Sequence, residues 1–137
     1  MSMQQIADVL IASWALAQEK RPLPTSRGVL DRALETVVNG GHFPEFFKTE
    51  LHFVDTRLGK RCAELGEVLT WAQASEQTSD PNPSYLSTVP KAGQLAALSI
   101  LYDLDIDAEK ARQWGYALAA AIQQENSRLR EFAASRG

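Results

Sequence analysis

Apolar residues recur at steps of three and four along most of the chain, and the longest such pattern covers residues 44–75. No proline follows its first residue, and this spacing places the apolar side chains on one stripe of a helix. The stripe consists of Leu51, Val54, Leu58, Cys62, Leu65, Leu69 and Ala72. Charged residues between them mark a solvated side. The pattern therefore predicts one long helix, which needs neighbouring helices to cover its stripe.

Four further segments show a similar periodicity and are separated by prolines, glycines or residues that cap helices well. The predicted helices cover residues 2–19, 25–39, 88–102 and 108–134. In the fourth predicted helix, Leu95, Leu98 and Leu101 follow one face. We therefore predict an all-α fold, a four- or five-helix antiparallel bundle that forms a single domain over residues 1–137.

A polar loop over residues 75–87 interrupts the helical pattern. It is longer than the usual connection in helical bundles, and loops of this length are usually functional or disordered. Tyr85 and Leu86 near its end are apolar enough to return to the protein body. Trp71 lies just before the loop and is the best candidate for an interaction hot spot, because tryptophan is enriched at such positions.

The last predicted helix becomes mostly polar over residues 123–137. This composition predicts that its end projects beyond the bundle, where Leu129 and Phe132 would need a partner surface. These two residues join Trp71, Tyr85 and Leu86 as the predicted partner-binding set.

Composition and charge narrow the functional classes. The chain has 137 residues, 45% hydrophobic and 23% charged, which is typical of globular domains. The net charge of -3 argues against a general affinity for phosphate backbones. A single cysteine, Cys62, forms no intrachain disulfide and fits a reducing compartment. We find no convincing secretory signal and no apolar run of the ~20 residues that a membrane span needs. These observations predict a cytoplasmic protein that does not bind membranes.

An acidic run resembles the start of a calcium loop, with Asp103, Asp105 and Asp107 at alternate positions. The remaining positions do not fit, because Ala108 stands where a glycine is needed and Trp114 where a bidentate glutamate is needed. We interpret the run as a connector in which Asp107 caps the last helix.

A second acidic pattern suggests a metal enzyme. Glu64 and Glu67 form an E-x-x-E pair of the kind that holds magnesium in helical nucleotide pyrophosphohydrolases, where a second acidic pair lies on another helix. Here the nearest equivalent begins at Asp103, in a connector. A metal site at Glu64, Glu67 and Asp103 is therefore an alternative hypothesis.

The strongest alternative concerns nucleic acid, because residues 97–114 resemble a weak helix-turn-helix. Lys110, Arg112 and Gln113 would then face a groove. The acids around them would repel phosphate, so this hypothesis ranks second.

No catalytic constellation accompanies these patterns. The two histidines, His42 and His52, lie near no exposed nucleophile in sequence, and the chain has no phosphate-binding glycine loop. We therefore expect a non-enzymatic interaction, adaptor or assembly protein that needs no cofactor. Its expected partner is another protein, and the chain itself is expected to form a homodimer.

Overall fold

The computed structural model describes residues 2–19, 21–26, 28–57, 59–74, 87–88 and 93–136. Within these ranges the helices are α1 (Met3–Gln18), α2 (Val29–Asn39), α3 (Glu45–Glu50), α4 (Leu65–Ala74), α5 (Gln94–Asp103) and α6 (Ala108–Arg136). The strands are β1 (Leu23–Pro24), β2 (Phe53–Thr56), β3 (Gly59–Cys62) and β4 (Ser87–Thr88). The strands pair antiparallel, β1 with β4 and β2 with β3. The described chain is mostly helical, in keeping with the predicted all-α bundle, but it also contains two short antiparallel strand pairs that this prediction did not include.

The predicted single helix over residues 44–75 is the main error. In its place the chain forms α3, the hairpin β2–β3 and α4. Gly59 is the first residue of β3 and has φ +107°, a backbone conformation that residues with side chains rarely adopt. The predicted apolar stripe is divided as a result, because Val54 is 45% exposed while Cys62 is fully buried. Leu58 lies outside the described residues.

Helix α1 forms the centre of the core. Ser2 caps it, since its hydroxyl accepts a hydrogen bond from the backbone N–H of Gln5, and the Gln5 side chain accepts one from the Ser2 N–H. Helices α4, α5 and α6 all contact α1. This enclosure explains why its buried residues lie on every side: Ile6, Ala7, Val9, Leu10, Ile11, Ala12, Ser13, Trp14, Ala15 and Leu16.

The closest approach in the core is where α6 crosses α1. A Cβ atom added at Gly115 would lie 2.6 Å from the Ala17 Cβ and would overlap the backbone oxygen of Ser13. Only glycine therefore fits this position, and the two helix backbones come into direct contact.

Helix α6 changes its environment along its length. Ala111, Leu118 and Ile122 in its first half are buried. Beyond Ile122 the described side chains are exposed, apart from the half-buried Glu125 and Ser127. The first half of α6 thus belongs to the core, while its last turns border solvent.

Candidate functional site

A buried carboxylate docks the hairpin β2–β3 on the start of α2. Asp31 is fully buried; its Oδ2 accepts a hydrogen bond from the Cys62 backbone N–H at 2.6 Å, and its Oδ1 accepts one from the Gly28 N–H at 3.1 Å. Burying a carboxylate is costly unless hydrogen bonds replace its hydration. Asp31 thus serves as a fixed structural anchor for both α2 and the hairpin.

A second carboxylate closes the open end of the hairpin. Glu64 Oε1 accepts a hydrogen bond from the His52 backbone N–H at 2.7 Å, and its Oε2 lies 2.8 Å from His52 Nδ1. Burial by itself would raise the pKa of Glu64, but the hydrogen bonds from the backbone and ring of His52 hold that pKa below its usual value. Glu64 is therefore ionised at neutral pH and cannot serve as a general acid there.

Cys62 lies between these two carboxylates and is fully buried. Burial, together with the negative charges of Glu64 and Asp31, raises the pKa of its thiol to about 11. Because the thiolate is the nucleophilic form, a thiol that stays protonated at neutral pH is inert. Although Asp31, His52, Cys62 and Glu64 form a compact polar cluster, the chemistry of this cluster is structural.

The proposed metal ligands are not assembled into one group. Glu64 is engaged by His52, Glu67 is exposed on α4, and Asp103 is exposed at the end of α5. Across the described part of the chain, no set of three or more His, Cys, Asp or Glu side chains is arranged to hold a metal ion.

Each of the three residues in the nucleic-acid hypothesis hydrogen-bonds to an acidic residue close to it in sequence. Arg112 Nη1 lies 3.5 Å from Glu109 Oε2, and Gln113 Nε2 donates a hydrogen bond to Glu109 Oε1 at 3.3 Å. The Lys110 backbone N–H donates to the Asp107 carboxylate at 3.0 Å. Glu109 thus binds the side chains of Arg112 and Gln113, which are two of the three that would have to contact a phosphate backbone.

Helix α5 carries an exposed apolar face that sequence reasoning did not identify. Leu95 is 84% exposed, Leu98 38% and Tyr102 85%, and their spacing of three and four residues places them on one side of the helix. The opposite side buries Ala97 and Leu101. The predicted face through Leu95, Leu98 and Leu101 is therefore wrong, because only its last member faces the core.

The signal for this face is present in the sequence, but it is ambiguous. Residues 95–102 are apolar except for Ser99, so no polar side marks the direction of solvent. A helix that is apolar on all sides is normally buried on all sides. The exposed stripe Leu95, Leu98 and Tyr102, which we call the α5 face, therefore lacks a covering partner in the described part of the chain.

The predicted partner-binding residues lie in different parts of the structure. Trp71 on α4 is 41% exposed, and Leu129 and Phe132 on α6 are 42% and 55% exposed. Tyr85 and Leu86 lie outside the described residues, as does most of the predicted 75–87 loop.

The surface also has an open cleft beside the end of α1. Its lining combines both signs of charge with an exposed aromatic ring: Ala17, Gln18, Glu19, Arg21, Pro22 and Tyr116. The cleft lies apart from the polar cluster, so it gives no support to chemistry at Cys62.

Comparison with protein-family models, curated proteins and solved structures gave no match to this chain. None of the helices in the described ranges has the length and apolar character needed to cross a membrane.

Proposed function

We propose that this protein is a non-enzymatic interaction or assembly protein that acts through helical faces, as a homodimer that binds a further protein. The observation that carries the proposal is the α5 face, where Leu95 and Tyr102 are among the most exposed large apolar side chains. Contiguous apolar patches on a protein surface mark sites of association. No cofactor is required for this role.

The α5 face favours an apolar protein partner. Leu95, Leu98 and Tyr102 repeat at the three- and four-residue steps by which one helix docks into a groove or against another helix. Tyr102 adds an aromatic ring with a polar tip, a combination that suits the edge of an interface. We expect this face to bind a groove lined by aliphatic residues.

The end of α6 favours a second copy of the same chain. Leu129 and Phe132 continue the three- and four-residue steps of the buried Leu118 and Ile122, so the stripe extends beyond the core. This end carries both signs of charge, with acids at Glu125 and Glu131 and bases at Arg128, Arg130 and Arg136. Because a symmetric dimer presents the same patch from both subunits, a neutral apolar stripe suits self-association.

Sedimentation equilibrium tests this proposal on the whole chain. We expect the wild-type protein to dimerise and the double variant Leu129→Glu, Phe132→Glu to be monomeric, because four buried carboxylates would be placed in the dimer interface. The control Lys110→Gln, at an exposed position near the other end of the same helix, should leave the dimer intact. A monomeric wild-type protein, or a dimer that persists in the double variant, would contradict the dimer part of the proposal.

The α5 face is tested separately with the variant Leu95→Glu, Tyr102→Glu. We expect this variant to remain folded and dimeric. It should no longer bind a purified partner that the wild-type dimer binds stoichiometrically. Retention of that partner would contradict the role of the α5 face. A cytoplasmic setting is part of the proposal, because a reducing compartment suits the single thiol.

A further inference from the structure

Two arginine side chains converge on one glycine at the turn of the hairpin. The position that a Cβ would occupy on Gly59 lies 3.6 Å from Arg32 Nη2 and 3.9 Å from Arg61 Nη1. Arg61 Nη1 also lies 3.1 Å from the corresponding position on Gly28. The two glycines thus leave room for both guanidinium groups against the backbone, and both arginines are half-buried.

Neither guanidinium group is paired with an acid among the residues that the structure describes. In the described part of the chain, Arg32 forms no hydrogen bond or ion pair through its side chain, and Arg61 donates only to the Lys60 carbonyl oxygen, at 2.9 Å. The neighbouring Lys60 is different, because its Nζ lies 2.9 Å from Asp55 Oδ1 and 3.5 Å from Glu35 Oε2. Lys60 therefore takes up the charges of Asp55 and Glu35, and neither arginine forms an ion pair with a described residue.

We propose that Arg32 and Arg61 form a binding site for a small phosphoryl anion at Gly59. Two like charges held close together in a half-buried setting repel each other, and a bound oxyanion relieves this repulsion. Guanidinium groups present paired N–H donors that match the oxygens of a phosphate. The absence of side chains at Gly28 and Gly59 lets the anion approach the turn.

The surroundings favour a small anion over a nucleic acid. Glu35 and Asp55 both contact Lys60, the residue between Gly59 and Arg61 in sequence, and the chain carries a net charge of -3. A long polyanion would have to pass these acids, whereas a single phosphate or pyrophosphate reaches only the two arginines.

Isothermal titration with inorganic pyrophosphate at constant ionic strength tests this site. We expect wild-type binding that weakens about tenfold or more in each of Arg32→Gln and Arg61→Gln, as expected for the loss of a charge-assisted hydrogen bond. The control Arg130→Gln, whose side chain contacts only the Ser127 hydroxyl among described residues, should bind like the wild type. Thermal melting of each variant confirms folding, and Arg32→Gln removes no hydrogen bond from the hairpin.

Three results would overturn the assignment. One is a wild-type Kd weaker than about 1 mM, and another is binding that both arginine variants retain. The third is tighter binding of a short oligonucleotide than of pyrophosphate, which would assign the arginines to a nucleic-acid backbone. The sedimentation experiment changes residues on α6, whereas the titration changes Arg32 and Arg61. The two experiments can therefore fail independently.

Discussion

The first half of α6 and the hairpin β2–β3 are held in the structure by different forces. Helix α6 buries Leu118 and Ile122 and lies directly against α1 at Gly115. The hairpin depends on carboxylates, with Asp31 binding the Cys62 N–H and Glu64 binding His52. Apolar burial hardly depends on pH, whereas the hydrogen bonds from His52 favour the ionised form of Glu64, as the lowered pKa of this carboxyl shows. The hairpin is therefore the part of the molecule that solution conditions can loosen selectively.

The largest expected effect lies in α6, in the substitution Leu118→Ala. Leu118 is fully buried, so the change should lower the free energy of unfolding by about 2–5 kcal/mol through lost burial and a cavity. The matched variant Leu129→Ala, on the same helix but 42% exposed, should cost less than about 1 kcal/mol in the monomer. Urea denaturation measures both values. Equal losses at the two positions would remove the distinction between the two halves of α6.

An intermediate effect is expected in the hairpin from Asp31→Asn. The amide keeps one acceptor oxygen for two backbone N–H groups, so one of the two donors loses its partner, at a cost of about 1–3 kcal/mol. Hydrogen exchange at the amide that loses its acceptor, Cys62 or Gly28, should accelerate, because both N–H groups donate to Asp31. The control Asp55→Asn changes a side chain that is 85% exposed and should leave both amides protected. Unchanged exchange at both amides in Asp31→Asn would show that the carboxylate does not anchor the hairpin.

The smallest effect concerns pH and Glu64. Since the folded pKa of Glu64 lies below its unfolded value of 4.5, its contribution is present above that pH and is lost as pH falls through the folded pKa. His52 is largely exposed, so we expect a contribution below about 1 kcal/mol. Denaturation midpoints from about pH 7 to about pH 3 should therefore fall less steeply in Glu64→Gln than in the wild type. The control Glu67→Gln, at an exposed position on α4, should keep the wild-type slope of midpoint against pH. Equal slopes in all three proteins would exclude a role for the contact between Glu64 and His52.

Sequence reasoning identified α1 and α6 because their local signals agree. Ser2 and Gln5 supply a capping box for α1, and Asp107 supplies a cap for α6. These contacts join residues three apart, so they are visible in a short window of sequence.

The hairpin escaped prediction because its stabilising contacts are remote in sequence. The Asp31–Cys62 hydrogen bond spans 31 residues and the His52–Glu64 contact spans 12. The apolar positions of this segment follow the steps of three and four that are typical of a helix, so the local pattern favours the wrong element and only the remote contacts favour the hairpin. Gly59 is the one described residue in this stretch whose positive φ the hairpin requires, but a lone glycine inside an apolar periodic pattern does not by itself locate a turn.

The candidate surfaces show the same limit. The exposure of Leu129 and Phe132 accompanies a change to polar neighbours, which the sequence displays directly. Helix α5 has no polar side that would mark the solvent. Whether Leu95 and Leu98 face the core or the solvent is therefore decided by the way α5 packs on α1. The convergence of Arg32 and Arg61 likewise arises only when the hairpin docks on α2.

The α1–α6 crossing has a consequence for tracing the ancestry of this chain. Gly115 meets the side chain of Ala17 but only the backbone of Ser13, so positions 17 and 115 are coupled through their side chains while position 13 is free to vary in this respect. Distant relatives should therefore keep the glycine and a small residue opposite it after most other residues have diverged.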